Sequence, residues 1–175
     1  ITLGTTKATT FGSPGSGMVT SDFGGNDRST ILIVQSNGKV LVAGSGGPDH
    51  IGYDGPDFAM ARYNVNGSLD TSFDQDGKVI TDLGNYEYGQ SVTLQPDGKI
   101  LLAGSSESLR SVTTSLDNLK SDFALVRYNA DGNLDTTFSD DGVLTTNFGG
   151  ISYGSNITIQ PDRKILMAGT NYLSG

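Results

Sequence analysis

The chain has 175 residues, a formal net charge of −8 and a pI near 4.3. Its 11 basic residues are scattered rather than clustered, so neutralisation of a phosphate backbone, and with it nucleic-acid binding, is not expected. Cys is absent, which excludes disulfides and thiolate metal sites. No apolar run approaches the ~18 residues a membrane-spanning helix requires, so direct membrane insertion is not expected either.

The 25 glycines, with abundant Asn, Asp, Ser and Thr, imply many turns and hence many short strands. A cysteine-free, acidic, Gly- and Asp-rich composition fits exported bacterial surface proteins, so an extracellular or cell-surface location is expected. The chain begins at Ile1 without a leader, which reads as a processed chain or an internal piece.

From Thr9 the text runs Thr-Thr-Phe11, a Gly-rich turn, then Met18-Val-Thr-Ser-Asp-Phe-Gly-Gly25. The same text returns at Thr71-Ser-Phe73 with Lys78-Val-Ile-Thr-Asp-Leu-Gly84, and at Thr136-Thr-Phe138 with Val143-Leu-Thr-Thr-Asn-Phe-Gly-Gly150. A second motif, Leu-Gln-Pro-Asp-Gly-Lys-Ile-Leu-Leu-Ala-Gly at 94–104, has counterparts ending at Gly44 and Gly169, 60 residues before and 65 after Gly104. Periods of this size mark a repeat architecture. The chain divides into an N-terminal segment carrying the last strand of a preceding unit (1–25), repeat 1 (26–84), repeat 2 (85–150) and the first half of repeat 3 (151–175).

One full repeat resolves into four extended segments, A to D. In A (92–95) apolar and polar residues alternate; B (99–104) is a continuous apolar run suited to a strand covered on both faces. In C (123–129) Phe123, Leu125 and Arg127 share one face, and Ala124, Val126 and Tyr128 the other; D is 143–148. Pro96-Asp-Gly98 joins A to B as a hairpin turn, Gly supplying the positive φ. Arg163 stands in place of that Gly in the third copy, so a looser turn is expected there.

No segment sustains a 3.6-residue period, so no helix is expected. Eleven strands follow: one D, two complete A–D sets and a final A–B pair. Four-stranded antiparallel units at regular spacing are the blades of a β-propeller, here an incomplete ring of about three blades. A stacked β-solenoid is the alternative, although its repeats are usually shorter.

The run Phe123-Ala-Leu-Val-Arg-Tyr-Asn-Ala-Asp-Gly-Asn-Leu-Asp-Thr-Thr-Phe138, with Gln-Pro-Asp and Lys-Ile-Leu motifs around it, resembles the bacterial delta-60 repeat across about residues 9 to 170. The resemblance implies a propeller-forming repeat of large secreted or surface-attached proteins. It transfers no catalytic residues.

Arg62 and Arg127, Asp70 and Asp135, Phe73 and Phe138 recur between repeats. A single active site needs no duplicates, whereas every blade needs the same scaffold. Each Arg is read as an inward cation paired with the Asp eight residues later, because a buried Arg must be paired. Asn129, Asp131, Asp135, Asp140 and Asp141 are oxygen donors that would suit calcium, but the EF-hand spacing fails and such residues also cap turns with no metal. His50 is the only His, the glycine-rich stretches are not phosphate loops, and an enzyme is not expected.

The B-to-C loop carries the whole length difference between repeats, so its residues His50, Tyr53, Asp54 and Arg110 are binding candidates. The expected function is a non-enzymatic structural or adhesive module whose partners are other protein chains or copies of itself. The alternative is a propeller lectin for surface glycans, with Tyr53, Tyr86, Tyr88 and Tyr153 in place of the missing Trp.

Overall fold

The computed structural model describes residues 11–12, 17–48, 55–109 and 119–173. Ten strands form: β1 (Arg28–Val34), β2 (Val40–Gly46), β3 (Asp57–Tyr63), β4 (Lys78–Thr81), β5 (Tyr86–Leu94), β6 (Ile100–Leu109), β7 (Leu119–Tyr128), β8 (Val143–Thr146), β9 (Ile151–Ile159) and β10 (Ile165–Tyr172). No helix occurs among the described residues. The strands β1-β2-β3-β4 make one antiparallel blade in sequence order. The strands β5-β6-β7-β8 make a second, in the same registers, and β9-β10 make half of a third. A single parallel bridge, Ser121 to Ile151, joins the second blade to the third. Antiparallel pairing within each unit defines propeller blades, and the sheets do not close into a ring. A β-solenoid would instead pair its repeats in parallel along their length.

The core lies between blades. Leu41, Phe58, Met60 and Phe73 of the first blade pack against Val92, Ile100, Leu102, Val126 and Tyr128 of the second. The opposite face of the second blade, through Leu101, Ala103 and Leu125, packs against Ile157, Ile159, Ile165 and Met167 of the third. Central strands thus bury both faces, which explains why β2, β3 and β6 read as continuous apolar runs. The sheets approach closely where β5 bulges between Gly89 and Ser91; a Cβ on Gly89 would run into the Gly44 carbonyl of the first blade.

Three expectations need correction. The first D segment is not a strand, which makes ten strands among the described residues and not eleven. β4 and β8 are strands because β3 and β7 lie beside them, and no described strand offers residues 18–23 that pairing. They instead cover the first blade: Val19 and Phe23 pack on Val40, Ala61 and Tyr63. Segment A is also longer than its alternation suggests, since β5 runs nine residues. The bulge shifts the register midway and breaks the period of two.

The third correction is the turn at Arg163, which is not looser. Gln160 N–H donates to Lys164 O at 2.8 Å and Arg163 N–H to Gln160 O at 2.8 Å. The second blade matches this with Gln95 to Lys99 at 2.8 Å and Gly98 to Gln95 at 2.9 Å. Hairpin register holds Arg163 at φ 69° against the steric preference of its side chain. Replacing it with the Gly found in the other copies should relieve that cost: Arg163→Gly is expected to raise the unfolding free energy by about 1 kcal/mol in urea titrations.

Candidate functional site

Each complete blade ends in one carboxylate shared by two cations. Arg62 Nε donates to Asp70 Oδ2 at 2.6 Å and Lys39 Nζ to the same oxygen at 2.7 Å. Ser72 Oγ donates to Oδ1 at 2.8 Å. The second blade repeats this with Arg127 at 2.7 Å, Lys99 at 2.5 Å and Thr137 at 2.6 Å, all on Asp135. The guanidinium stacks on an aromatic ring in both, Arg62 over Phe73 and Arg127 over Phe138. Burial opposes ionisation of Asp70, but hydrogen bonds from Lys39, Ser72 and Arg62 outweigh it and hold the carboxyl well below the usual range. Hydrogen bonds from Lys99 and Thr137 do the same for Asp135. The lysine of each A–B turn is the member that spacing between Arg and Asp does not disclose, although its threefold recurrence as Lys39, Lys99 and Lys164 was a usable signal.

Neighbouring units are latched at two points, and each latch occurs twice. Asp74 N–H donates to Asp131 O at 2.7 Å, and one unit earlier Gly12 N–H donates to Asn66 O at 2.9 Å. Tyr128 and Thr81 share a buried 2.7 Å hydroxyl–hydroxyl hydrogen bond, and Tyr63 donates to Ser21 Oγ at 2.8 Å. In addition, Arg62 Nη1 donates to Ala130 O of the next blade at 2.5 Å. A cleft of about 420 Å³ opens on this face between the first two blades, lined by Gln35, Lys39, Arg62, Gln95 and Ala130.

The third blade lacks these partners among the described residues. The strand β10 pairs on one side only and is mostly exposed, whereas β2 is almost wholly buried. Leu166, Tyr172 and Leu173 are 48%, 60% and 70% exposed. Lys164 pairs with its neighbour Asp162, with 75% of its side chain exposed against 27% for Lys39.

The remaining sequence candidates are dispersed. His50, Tyr53, Asp54 and Arg110 lie outside the described residues. Tyr88 and Tyr153 occupy equivalent positions on β5 and β9, facing Ser105 and Thr170 across their hairpins. Burial raises both hydroxyl pKa values, and the nearby Glu107 adds to each shift. Tyr153 also meets Tyr172 edge-on at 6.2 Å.

Asn129, Asp131, Asp135, Asp140 and Asp141 do not assemble into a carboxylate group among the described residues. Asp131 Oδ1 accepts from Asn133 N–H and Asp141 Oδ1 from Val143 N–H, which is turn capping. Asp135 is occupied by its triad, Asn129 Nδ2 donates to Leu134 O, and Asp140 sits in the turn at φ 70°.

At the opposite face, three carboxylates that the sequence does not single out converge: Asp57, Asp82 and Glu87, with oxygens within 4.8 Å of one another. This is the one such group among the described residues that could hold a metal ion. Glu87 is fully buried, accepting from Leu83 N–H at 3.2 Å and Ser106 Oγ at 2.9 Å. Burial, then repulsion by Asp57 and Asp82, pushes its pKa to about 7. The equivalent junction one blade on is neutralised: Asn147 Nδ2 donates to Asp122 Oδ1 at 2.6 Å, and Ser152 takes the place of Glu87.

With the geometry in view, the class of the molecule is plain: an all-β chain of tandem propeller-type repeats. Residues 35–73 and 95–138 match the family model described as a domain of unknown function (DUF5122) beta-propeller. The two matched stretches run from the A–B turn to the stacked phenylalanine of each complete blade. No curated protein matches the chain.

The raised pKa of Glu87 gives a pH signature. A carboxyl whose folded pKa lies above its ordinary 4.5 stabilises the fold below that value, and the contribution is lost as pH rises through about 7. Glu87→Gln removes that loss, so the variant should exceed the parent in stability at pH 8 by on the order of 1–2 kcal/mol. At pH 4 the two should converge in parallel denaturant titrations.

Proposed function

We propose that the chain is a non-enzymatic structural or adhesive module, a repeat of the delta-60 kind from a secreted or surface-attached bacterial protein. It works by joining blades to other protein chains. The observation that carries this reading is the edge of β10, which among the described residues pairs only with β9 and lies beside the exposed apolar side chains of Leu166, Tyr172 and Leu173. Such an edge templates strand addition, with main-chain hydrogen bonds supplying affinity and alternate side chains supplying specificity. The acidic, cation-poor surface suits protein partners, not nucleic acid.

A second reading, a lectin for surface glycans, is favoured by one feature. Tyr88 and Tyr153 stand in register on adjacent blades with the carboxyl of Glu107 close to both. Aromatic faces next to a hydrogen-bonding carboxyl suit a sugar. Binding on a glycan array that disappears in Tyr88→Ala is the expected result for this reading; an array without signal removes it.

Light scattering tests the assembly reading. A solution mass above that of one chain, rising with concentration, is expected; a single-chain mass at every concentration would overturn self-assembly. Repeating the measurement in calcium and then in chelator shows whether the turn carboxylates, or the group at Asp57, Asp82 and Glu87, take part through a bound ion.

A further inference from the structure

The cleft between the first two blades is walled by their A–B turns, and each turn contributes a glutamine from the same place in the repeat, Gln35 and Gln95. Hairpin register pins both backbones. Gln35 N–H donates to Lys39 O and its carbonyl accepts from Gly38 N–H, and Gln95 does the same with Lys99 and Gly98. Both side-chain Oε1 atoms are buried, and neither has a hydrogen-bond partner. No other buried side-chain nitrogen or oxygen among the described residues is left in that state. The two unanswered acceptors therefore line one cleft, and both walls belong to complete blades. An acceptor buried without a donor has lost its hydration and gained nothing in exchange. An occupant that carries donors removes that deficit.

The remaining lining groups narrow the class of occupant. Lys39 Nζ has three donors, of which Asp70 takes one. Arg62 is committed to Asp70, to Ala130 O and to Ser72 Oγ. Asp70 and the exposed Asp131, a carboxyl held low first by Asn133 and last by Arg62, offset both cations. The cleft thus has no excess charge to draw an anion, yet it pairs bare acceptors with spare donors. Leu94 and Pro96 add an apolar wall. Hydroxyl groups on a carbon ring fit this set, because each O–H donates to an amide oxygen and also accepts from an ammonium. At about 420 Å³ the cleft lies toward the small end of ligand pockets, about 300–1,000 Å³.

We propose that this cleft binds a small neutral polyhydroxy ligand, a monosaccharide unit, whose hydroxyls donate to Gln35 Oε1 and Gln95 Oε1 and accept from Lys39 Nζ. Both glutamines are half-buried, so rotation about their side-chain torsions turns the amide oxygens out to the occupant. The site shares no residue with the Tyr88–Tyr153 pair and rests on neither the assembly reading nor the lectin reading.

The test is amide correlation NMR of the isotope-labelled 175-residue chain. The probes are D-glucose, D-galactose and N-acetyl-D-glucosamine, each titrated to about 100 mM, well past the ~1 mM dissociation constant expected of so small a ligand. Saturable shifts of the Gln35 and Gln95 side-chain amide signals are expected with at least one sugar. Gln35→Leu and Gln95→Leu should each weaken that binding by roughly tenfold. Both variants should nevertheless unfold in urea at or above the parent's midpoint, because each removes an unanswered acceptor. Tyr88→Ala should bind as the parent does. Side-chain amide signals that no sugar moves overturn the inference. Shifts produced by sodium acetate and not by the sugars make the cleft an anion site and overturn it too. Binding that is lost in Tyr88→Ala but survives both Leu variants supports the lectin reading and overturns this site.

Discussion

Everything at one end of each blade depends on a single carboxylate oxygen. Asp70 Oδ2 and Asp135 Oδ2 each receive an Arg from the third strand and a Lys from the A–B turn. A guanidinium drawn into an interior of apolar strands must be paired, since desolvating it alone is prohibitive. The Asp pairs it while turning the chain back: Asp N–H donates to the Arg carbonyl, and the following Phe N–H donates to the Asp carbonyl. The same Phe then lies under the guanidinium. The charge pair therefore does not merely sit on the sheet. It sets the path of the C–D connection, and that connection carries the groups that latch the next blade.

Because the N–H to carbonyl latches come from the connection, while the hydroxyl latches come from strand ends, the junction between blades is partly a charge-determined surface. Burial alone would let one twisted sheet slide over another, since apolar contact is non-directional. The paired N–H to carbonyl contacts at Asp74 and Gly12, and the paired hydroxyl contacts at Tyr128 and Tyr63, fix one stacking geometry. Buried hydrogen bonds of this type add little net stability but are costly to leave unmade, which is how they select one arrangement over its neighbours.

Legibility in the sequence follows from what is duplicated. The blades, their registers and the shared faces of β7 are visible because each is written at least twice, at 60- and 65-residue intervals. The Arg and Asp stand out for the same reason. The nine-residue length of β5 does not, because Gly89 and the bulge interrupt its alternation. The N-terminal D text matches β4 and β8 in composition, yet strand state is a property of pairing, and the pairing strand is what it lacks. Arg163 shows the opposite error: local preference argues against a tight turn, and the register of β9 with β10 imposes one. The Asp57–Asp82–Glu87 group was hidden because its position varies from unit to unit, with Ser152 standing where Glu87 does. Only strand register brings residues so far apart in the chain within 4.8 Å.

The variable group and the repeated group occupy opposite ends of the blades, and that separation has a physical meaning. Lys–Asp–Arg is repeated because every junction needs the same latch. The acidic cluster is confined to one junction because its neighbour has substituted Asn147 for Asp82 and Ser152 for Glu87, converting repulsion into a hydrogen bond to Asp122. A fold under selection for stability alone would make that exchange at both junctions, since a buried Glu facing two carboxylates is held against its own ionisation. Retaining the unfavourable arrangement at one junction places a buried, protonation-sensitive carboxyl between the first two blades. The end of the blades that carries the C-to-D connections is thus electrostatically uniform, and the end that carries the B-to-C connections is the one where individual junctions differ.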